Sequence, residues 1–77
     1  MKEALTYIVK SIVEASDKIV VEEAEHSGLV EFTVHVPQDE IGKVIGKSGK
    51  VIRAIRNVLK IAAVKEQKKV TITLREV

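Results

Sequence analysis

Val44-Ile45-Gly46-Lys47-Ser48-Gly49-Lys50-Val51-Ile52 is the stretch that decides how this chain folds. Two glycines three residues apart, flanked by apolar residues, predict a tight connection between two helices. Glycine admits left-handed backbone angles there and lets the main chain approach a partner with no Cβ in the way. The turn opens the next helix, whose first N–H groups lack intrahelical acceptors and favour an anion. Lys47 and Lys50 add positive charge at the same point. The combination predicts a seat for phosphate. A nucleotide-hydrolysing P-loop is the competing reading, since Gly42-Lys43-Val44-Ile45-Gly46-Lys47-Ser48 approaches that pattern. It has three residues between the glycines where four are required, and it follows a short helix instead of a strand. The P-loop is set aside.

Working outward, a longer helix is predicted from about Lys50 to Val64. Projected at about 100° per residue, Val51, Ile55, Val58, Leu59 and Ala62 share one arc and form its predicted core face. Lys50, Arg53, Arg56, Asn57 and Lys60 form a basic stripe on the opposite arc. Upstream, Pro37 ends a strand and suits the first turn of a short helix, with Asp39 and Glu40 at the positive end of its dipole. That strand, Leu29 to Val36, alternates Val30, Phe32, Val34 and Val36 with Glu31, Thr33 and His35. A less regular strand, Ile19 to Glu25, precedes it across His26-Ser27-Gly28, and the short turn makes the two an antiparallel hairpin. Lys2 to about Ala15 reads as an amphipathic helix through Leu5, Ile8, Val9 and Ile12, closed by Ser16-Asp17. After the polar Glu66-Gln67-Lys68-Lys69, Val70 to Arg75 is a last strand rich in β-branched residues. A helical crossover reaches it, so it should lie parallel to a hairpin strand, the Leu29–Val36 strand for preference. The expected class is α+β, in the order α-β-β-α-α-β, one domain over residues 1–77.

Composition narrows the functional classes. The chain is 45% hydrophobic and 31% charged, with one proline and no cysteine, a globular profile without disulfides or thiolate chemistry. No apolar run approaches the roughly 20 residues of a membrane span, and no signal-peptide core is present, so a cytoplasmic protein is expected. Net charge is only +2, but it is unevenly placed. Met1 to Gly42 carries three Lys/Arg against nine Asp/Glu, whereas Lys43 to Lys69 carries nine against Glu66 alone. Such polarity draws a polyanion to one side of a domain.

Val44, Ile45-Gly46-Lys47-Ser48-Gly49 and Ile52 together resemble the I-G-x-x-G signature of the KH domain, whose loop clamps about four backbone nucleotides. The signature lies past the middle of the chain, with one strand after its helix pair, so the order resembles the type II arrangement. A chain of this length with a single such domain is similar to the bacterial KhpA family. The resemblance implies a three-stranded mixed sheet with helices packed on one face, and single-stranded RNA binding by an RNA chaperone or post-transcriptional regulator. It implies no enzymatic activity, cofactor or metal. It places bases in an apolar groove beside the glycine turn, with Val44, Ile45 and Ile52 as candidates for the floor. Lys65 to Lys69 corresponds to the family's variable loop at the groove's far edge. The candidate RNA-binding set is Gly46, Lys47, Ser48, Gly49, Lys50, Lys43, Val44, Ile45, Ile52 and Arg53.

With one Phe and one Tyr, base stacking on aromatic platforms of the RRM or OB type cannot dominate. Binding should be weak and fall with salt at roughly 0.7 log units per log unit of salt for each neutralised phosphate. Ala54, Ile61 and Val64 project outside the predicted core arc and suggest a partner surface. The family is associated with self-pairing and with a second KH-containing partner of the KhpB or Jag type. The rival reading is a protein-interaction subunit with a degenerate KH fold. His26 and His35 lack ligand partners at metal spacing, Glu22, Glu23 and Glu25 read as a solvated strand rim, and Ser48 has no base beside it in sequence.

Overall fold

The computed structural model describes all of residues 1–77. Its elements are α1 (Lys2–Ile12), β1 (Val20–His26), β2 (Leu29–Val36), α2 (Ile41–Ile45), α3 (Lys50–Lys65) and β3 (Lys69–Glu76), with single 3-10 turns at Ser16–Lys18 and Lys47–Gly49. The sheet order is β1-β2-β3. β1 runs antiparallel to β2, with Val21 opposite Val34 and His26 opposite Leu29. β3 runs parallel to β2, with Val30 opposite Val70 and Phe32 opposite Ile72. The α+β class, the order of elements and the mixed three-stranded sheet agree with the sequence reading.

The hairpin closes in two residues, Ser27 at φ 50° and Gly28 at φ 83°. Two successive left-handed residues are the turn whose twist matches that of the flanking strands. The β1 alternation is irregular because β1 is an edge strand. Apart from the half-buried Val21, every residue from Val20 to His26 is exposed. β2 is central, and its Val30, Phe32, Val34 and Val36 are all at most 1% exposed. They form the floor of the core with Leu5 and Val9 from α1, Ile55, Leu59 and Ala63 from α3, and Val70 and Ile72 from β3. The opposite sheet face is polar. There His35 pairs with Glu22, and His26 lies 3.9 Å from Glu31.

Three expectations are corrected. α1 ends at Ile12, not Ala15, because Val13 turns extended and the N–H groups of Glu14 and Ala15 are captured from outside the helix. The captor is Glu40, expected only to face the positive end of the α2 dipole. It is 5% exposed, the one buried charged side chain, and α2 begins a residue later, at Ile41. Pro37 starts the turn before α2 and not the helix itself, its carbonyl accepting the N–H groups of Glu40 and Ile41. Lastly, the buried line of α3 is Ile55, Leu59 and Ala63, with Val58 half-exposed and Ala62 only partly covered. The true core arc is rotated by about 60° from the predicted one, toward Ile52. Aliphatic residues lie on both sides of that arc, so periodicity alone did not fix its centre.

Candidate nucleic-acid interface

The short α2 delivers the chain to Gly46, whose N–H bonds the carbonyl of Gly42. Gly46 then adopts φ 76° and ψ 172°, a conformation essentially reserved for glycine. Its environment is equally restrictive. A Cβ built there would stand 2.3 Å from Val51 Cγ2 and 2.8 Å from both Val51 Cβ and the Val51 nitrogen. The main chain at Gly46 is thus pressed onto the first turn of α3. Gly49 is left-handed at φ 74°, but a Cβ added there would meet nothing within 4 Å. Ser48 is also left-handed, at φ 56°. Its carbonyl accepts a hydrogen bond from Arg53 Nη2 at 3.0 Å, which ties the apex of the turn to α3.

This geometry exposes Lys47, Ser48 and Lys50 and leaves Gly46 and Gly49 partly accessible. The first N–H groups of the helix after the turn are expected to be free for an anion, but those of Gly49 and Lys50 at the turn itself are not. They bond the carbonyls of Gly46 and Lys47 and close the turn instead. Attraction for phosphate here therefore rests mainly on Lys47, Lys50 and Arg53, none of which is in an ion pair. Lys43 is differently placed. Its ammonium is 3.6 Å from a Glu14 oxygen and 3.7 Å from a Glu40 oxygen. Glu40 accepts the N–H of Glu14 at 2.5 Å and that of Ala15 at 3.0 Å. These bonds, that from Glu14 foremost, hold its carboxyl below the ordinary carboxylate range against the opposing effect of burial, with Lys43 adding to them. Glu40 thereby fastens the start of α2 to the segment that follows α1.

Of the expected groove floor, Ile45 is 38% exposed, and Ile52 is partly buried against the core. Val44 is 0% exposed and supports the turn from beneath. Arg53, Asn57 and Lys60 continue from Lys50 as an exposed row along α3, with Arg56 partly covered beside them. At the far end, α3 closes with Gln67 left-handed at φ 58° and the Lys68 N–H on the Ala63 carbonyl. Lys68 Nζ lies 3.0 Å from Glu25 Oε1, a contact that raises its pKa and pins the α3–β3 connection to the edge strand.

A second surface, of which only Ala54 was singled out from sequence as a partner contact, lies on the other flank of α3. Ile8 and Ile12 of α1 and Val51, Ala54 and Val58 of α3 line an apolar groove of about 350 Å³ there. Ala54 belongs to it, and Ile61, 64% exposed, follows Val58 at helical spacing. Val64, 73% exposed, borders the α3–β3 connection. Val64 also follows Ile61 at the same i,i+3 spacing, one turn further along α3. The excess of aliphatics over what one core arc can hold was the available signal for this groove.

The family model for the KH domain of KhpA and KhpB matches residues 2–74. The chain belongs to the KhpA/KhpB KH-domain family. Its similarity extends to curated proteins carrying the name RNA-binding protein KhpA. That of Clostridium acetobutylicum is 40% identical over 74 residues, covering 96% of this chain and 99% of the relative. That of Chlamydia trachomatis is 36% identical over 76 residues, covering 99% and 97%. A third, from Caldanaerobacter subterraneus, is 35% identical over 74 residues, covering 96% and 99%. The KhpA relatives bear the name of RNA-binding proteins and not of enzymes. Gly46–Gly49 and the flanking helices α2 and α3 all lie within the matched residues.

Proposed function

We propose that this chain binds single-stranded RNA through the Gly46–Gly49 turn, as a cytoplasmic RNA chaperone or post-transcriptional regulator without catalytic activity. What carries the reading is a surface turn of bare main chain with unpaired Lys47, Lys50 and Arg53 gathered on it. A phosphate drawn there meets three cations, and the exposed side of Ile45 offers apolar contact to a base. The names of its KhpA relatives support the ligand class. No helix is long and apolar enough to cross a membrane. The deciding experiment replaces Lys47 and Ser48 together with Asp, keeping both glycines. Circular dichroism should be unchanged while ultraviolet crosslinking to RNA falls sharply. Undiminished crosslinking by the folded variant would remove the turn from the binding site.

The apolar groove between α1 and α3 favours a companion role in self-association, or in pairing with a second KH protein of the KhpB or Jag type. Ala54 lines that groove, and the exposed Ile61 and Val64 continue along the same helix at i,i+3 spacing. Ile61→Asp should shift the sedimentation of the protein toward monomer. An unchanged profile would exclude Ile61 from the contact.

A further inference from the structure

Ser48 stands at the apex of the glycine turn with its backbone left-handed at φ 56°, a conformation unfavourable to a residue that carries a side chain. The residue is exposed, and its hydroxyl makes no hydrogen bond within the protein. The fold therefore makes no use of that hydroxyl. By contrast, the Thr6 and Ser11 hydroxyls donate to the carbonyls of Lys2 and Ile8. The charge around Ser48 also differs from that around the remaining serines. Ser16 is followed by Asp17 and Ser27 lies two residues after Glu25, whereas Ser48 sits between Lys47 and Lys50. Arg53 Nη2 donates to the Ser48 carbonyl at 3.0 Å, so a guanidinium is already held at this residue, and its other N–H groups are uncommitted. The turn is also accessible to an enzyme. Two backbone bonds close it, and the space beside Gly49 is open.

We propose that Ser48 is a phosphorylation site, and that its phosphate occupies from within the chain the seat among Lys47, Lys50 and Arg53 that an RNA phosphate otherwise takes. The inference rests on the RNA reading and adds its regulation. A protein kinase transfers the γ-phosphoryl group of a nucleoside triphosphate to Ser48 Oγ. The new O–P bond forms as the bond to the β–γ bridging oxygen breaks. Nucleoside diphosphate leaves, and the hydroxyl proton passes to the base of the kinase. At neutral pH the product carries nearly two negative charges and three acceptor oxygens. Being tethered, it stays at the seat at a local concentration that a free strand does not match. It neutralises the cations that draw RNA and repels the incoming backbone, so the modified turn is switched off.

The test uses the full chain with phosphate installed on Ser48 during synthesis. Phosphorus NMR reads the seat in the absence of RNA. The second ionisation of phosphoserine ordinarily lies at about 6. Beside three cations it should fall below that value, because they favour the dianion, and Lys50→Ala with Arg53→Ala should raise it again. Fluorescence anisotropy with a single-stranded oligouridylate reads the consequence. Affinity should drop about tenfold or more on phosphorylation, with circular dichroism unchanged, and phosphatase treatment of the same sample should restore it. Peptide mass spectrometry of the chain from the cells that make it should find phosphate on Ser48. The inference is overturned if the phosphoserine titrates at its ordinary value, or if the phosphorylated chain binds RNA as tightly as the unmodified one. It is overturned equally if Ser48 carries no phosphate in any growth phase. Failure of the broader RNA reading looks different. The unmodified chain and the Lys47→Asp/Ser48→Asp variant would then bind the oligonucleotide alike, while the phosphorus titration would still decide whether the phosphate takes the seat.

Discussion

Replacing Gly46 with Ala should be far more damaging than the same change at Gly49, although the two glycines play symmetrical parts in the sequence motif. At Gly49 the new methyl group enters open space. Only the left-handed backbone opposes it, at a cost of about 1 kcal/mol. For a domain of this size that corresponds to a fall in Tm of about 4–8 °C. At Gly46 the backbone conformation alone costs about 1–3 kcal/mol in any other residue. Overlap with Val51 adds to this, because the Cβ would stand 2.3 Å from Cγ2 and 2.8 Å from the Val51 nitrogen, which belongs to the main chain of α3 and cannot swing away. The total should exceed about 3 kcal/mol, enough to lower Tm by at least about 12 °C or to prevent folding. Adding Val51→Ala to Gly46→Ala removes the γ-carbon overlap but not those with Cβ and nitrogen, so rescue should be partial. Thermal denaturation followed by circular dichroism checks all four proteins. Equal losses at the two glycines, or full rescue by Val51→Ala, would refute the packing described for Gly46.

The buried Glu40 predicts an acid-sensitive component of stability. Its folded pKa lies below the ordinary value of 4.5, so its contribution is fully present above about pH 4.5 and is lost as pH falls through the lowered value. Glu40→Gln should therefore be less stable than wild type at neutral pH, with the gap closing in acid. A gap that is constant with pH in urea titrations would contradict the assignment. Leu59→Ala should cost about 2–5 kcal/mol and Val58→Ala less than about 1 kcal/mol, because Leu59 is 0% exposed and Val58 49% exposed. The opposite ranking by chemical denaturation would restore the core face first read from the sequence.

The elements were legible because their signals are local. β2 alternates at period two from Val30 to Val36, and glycines mark both the hairpin and the helix junction. The parallel β3 followed from connection length, since only a crossover can bring the chain back after α3. What was hidden depends on partners distant in sequence. Nothing near Glu14 or Ala15 announces that their N–H groups will be taken by a carboxylate about 25 residues further on, and that capture is what shortens α1. The rotation of α3 is similar. Val51, Val58 and Ala62 are as apolar as Ile52, Leu59 and Ala63, and only the positions of α1 and the sheet select between them. At the candidate interface, Lys47, Lys50 and Arg53 are close in sequence and stand exposed at or beside the turn. The set read from sequence also included Lys43, which Glu14 and Glu40 hold, and Val44, which the core encloses.

The contact between Gly46 and Val51 changes what its glycine can be used to diagnose. Since removal of that glycine breaks the packing of α3 whether or not a ligand is present, a descendant that abandoned nucleic acid would be compelled to retain it. Lys47 and Lys50 are under no such architectural compulsion, because both residues are exposed and neither is in an ion pair. A working copy and an idle one would thus differ at the two lysines and look alike at Gly46.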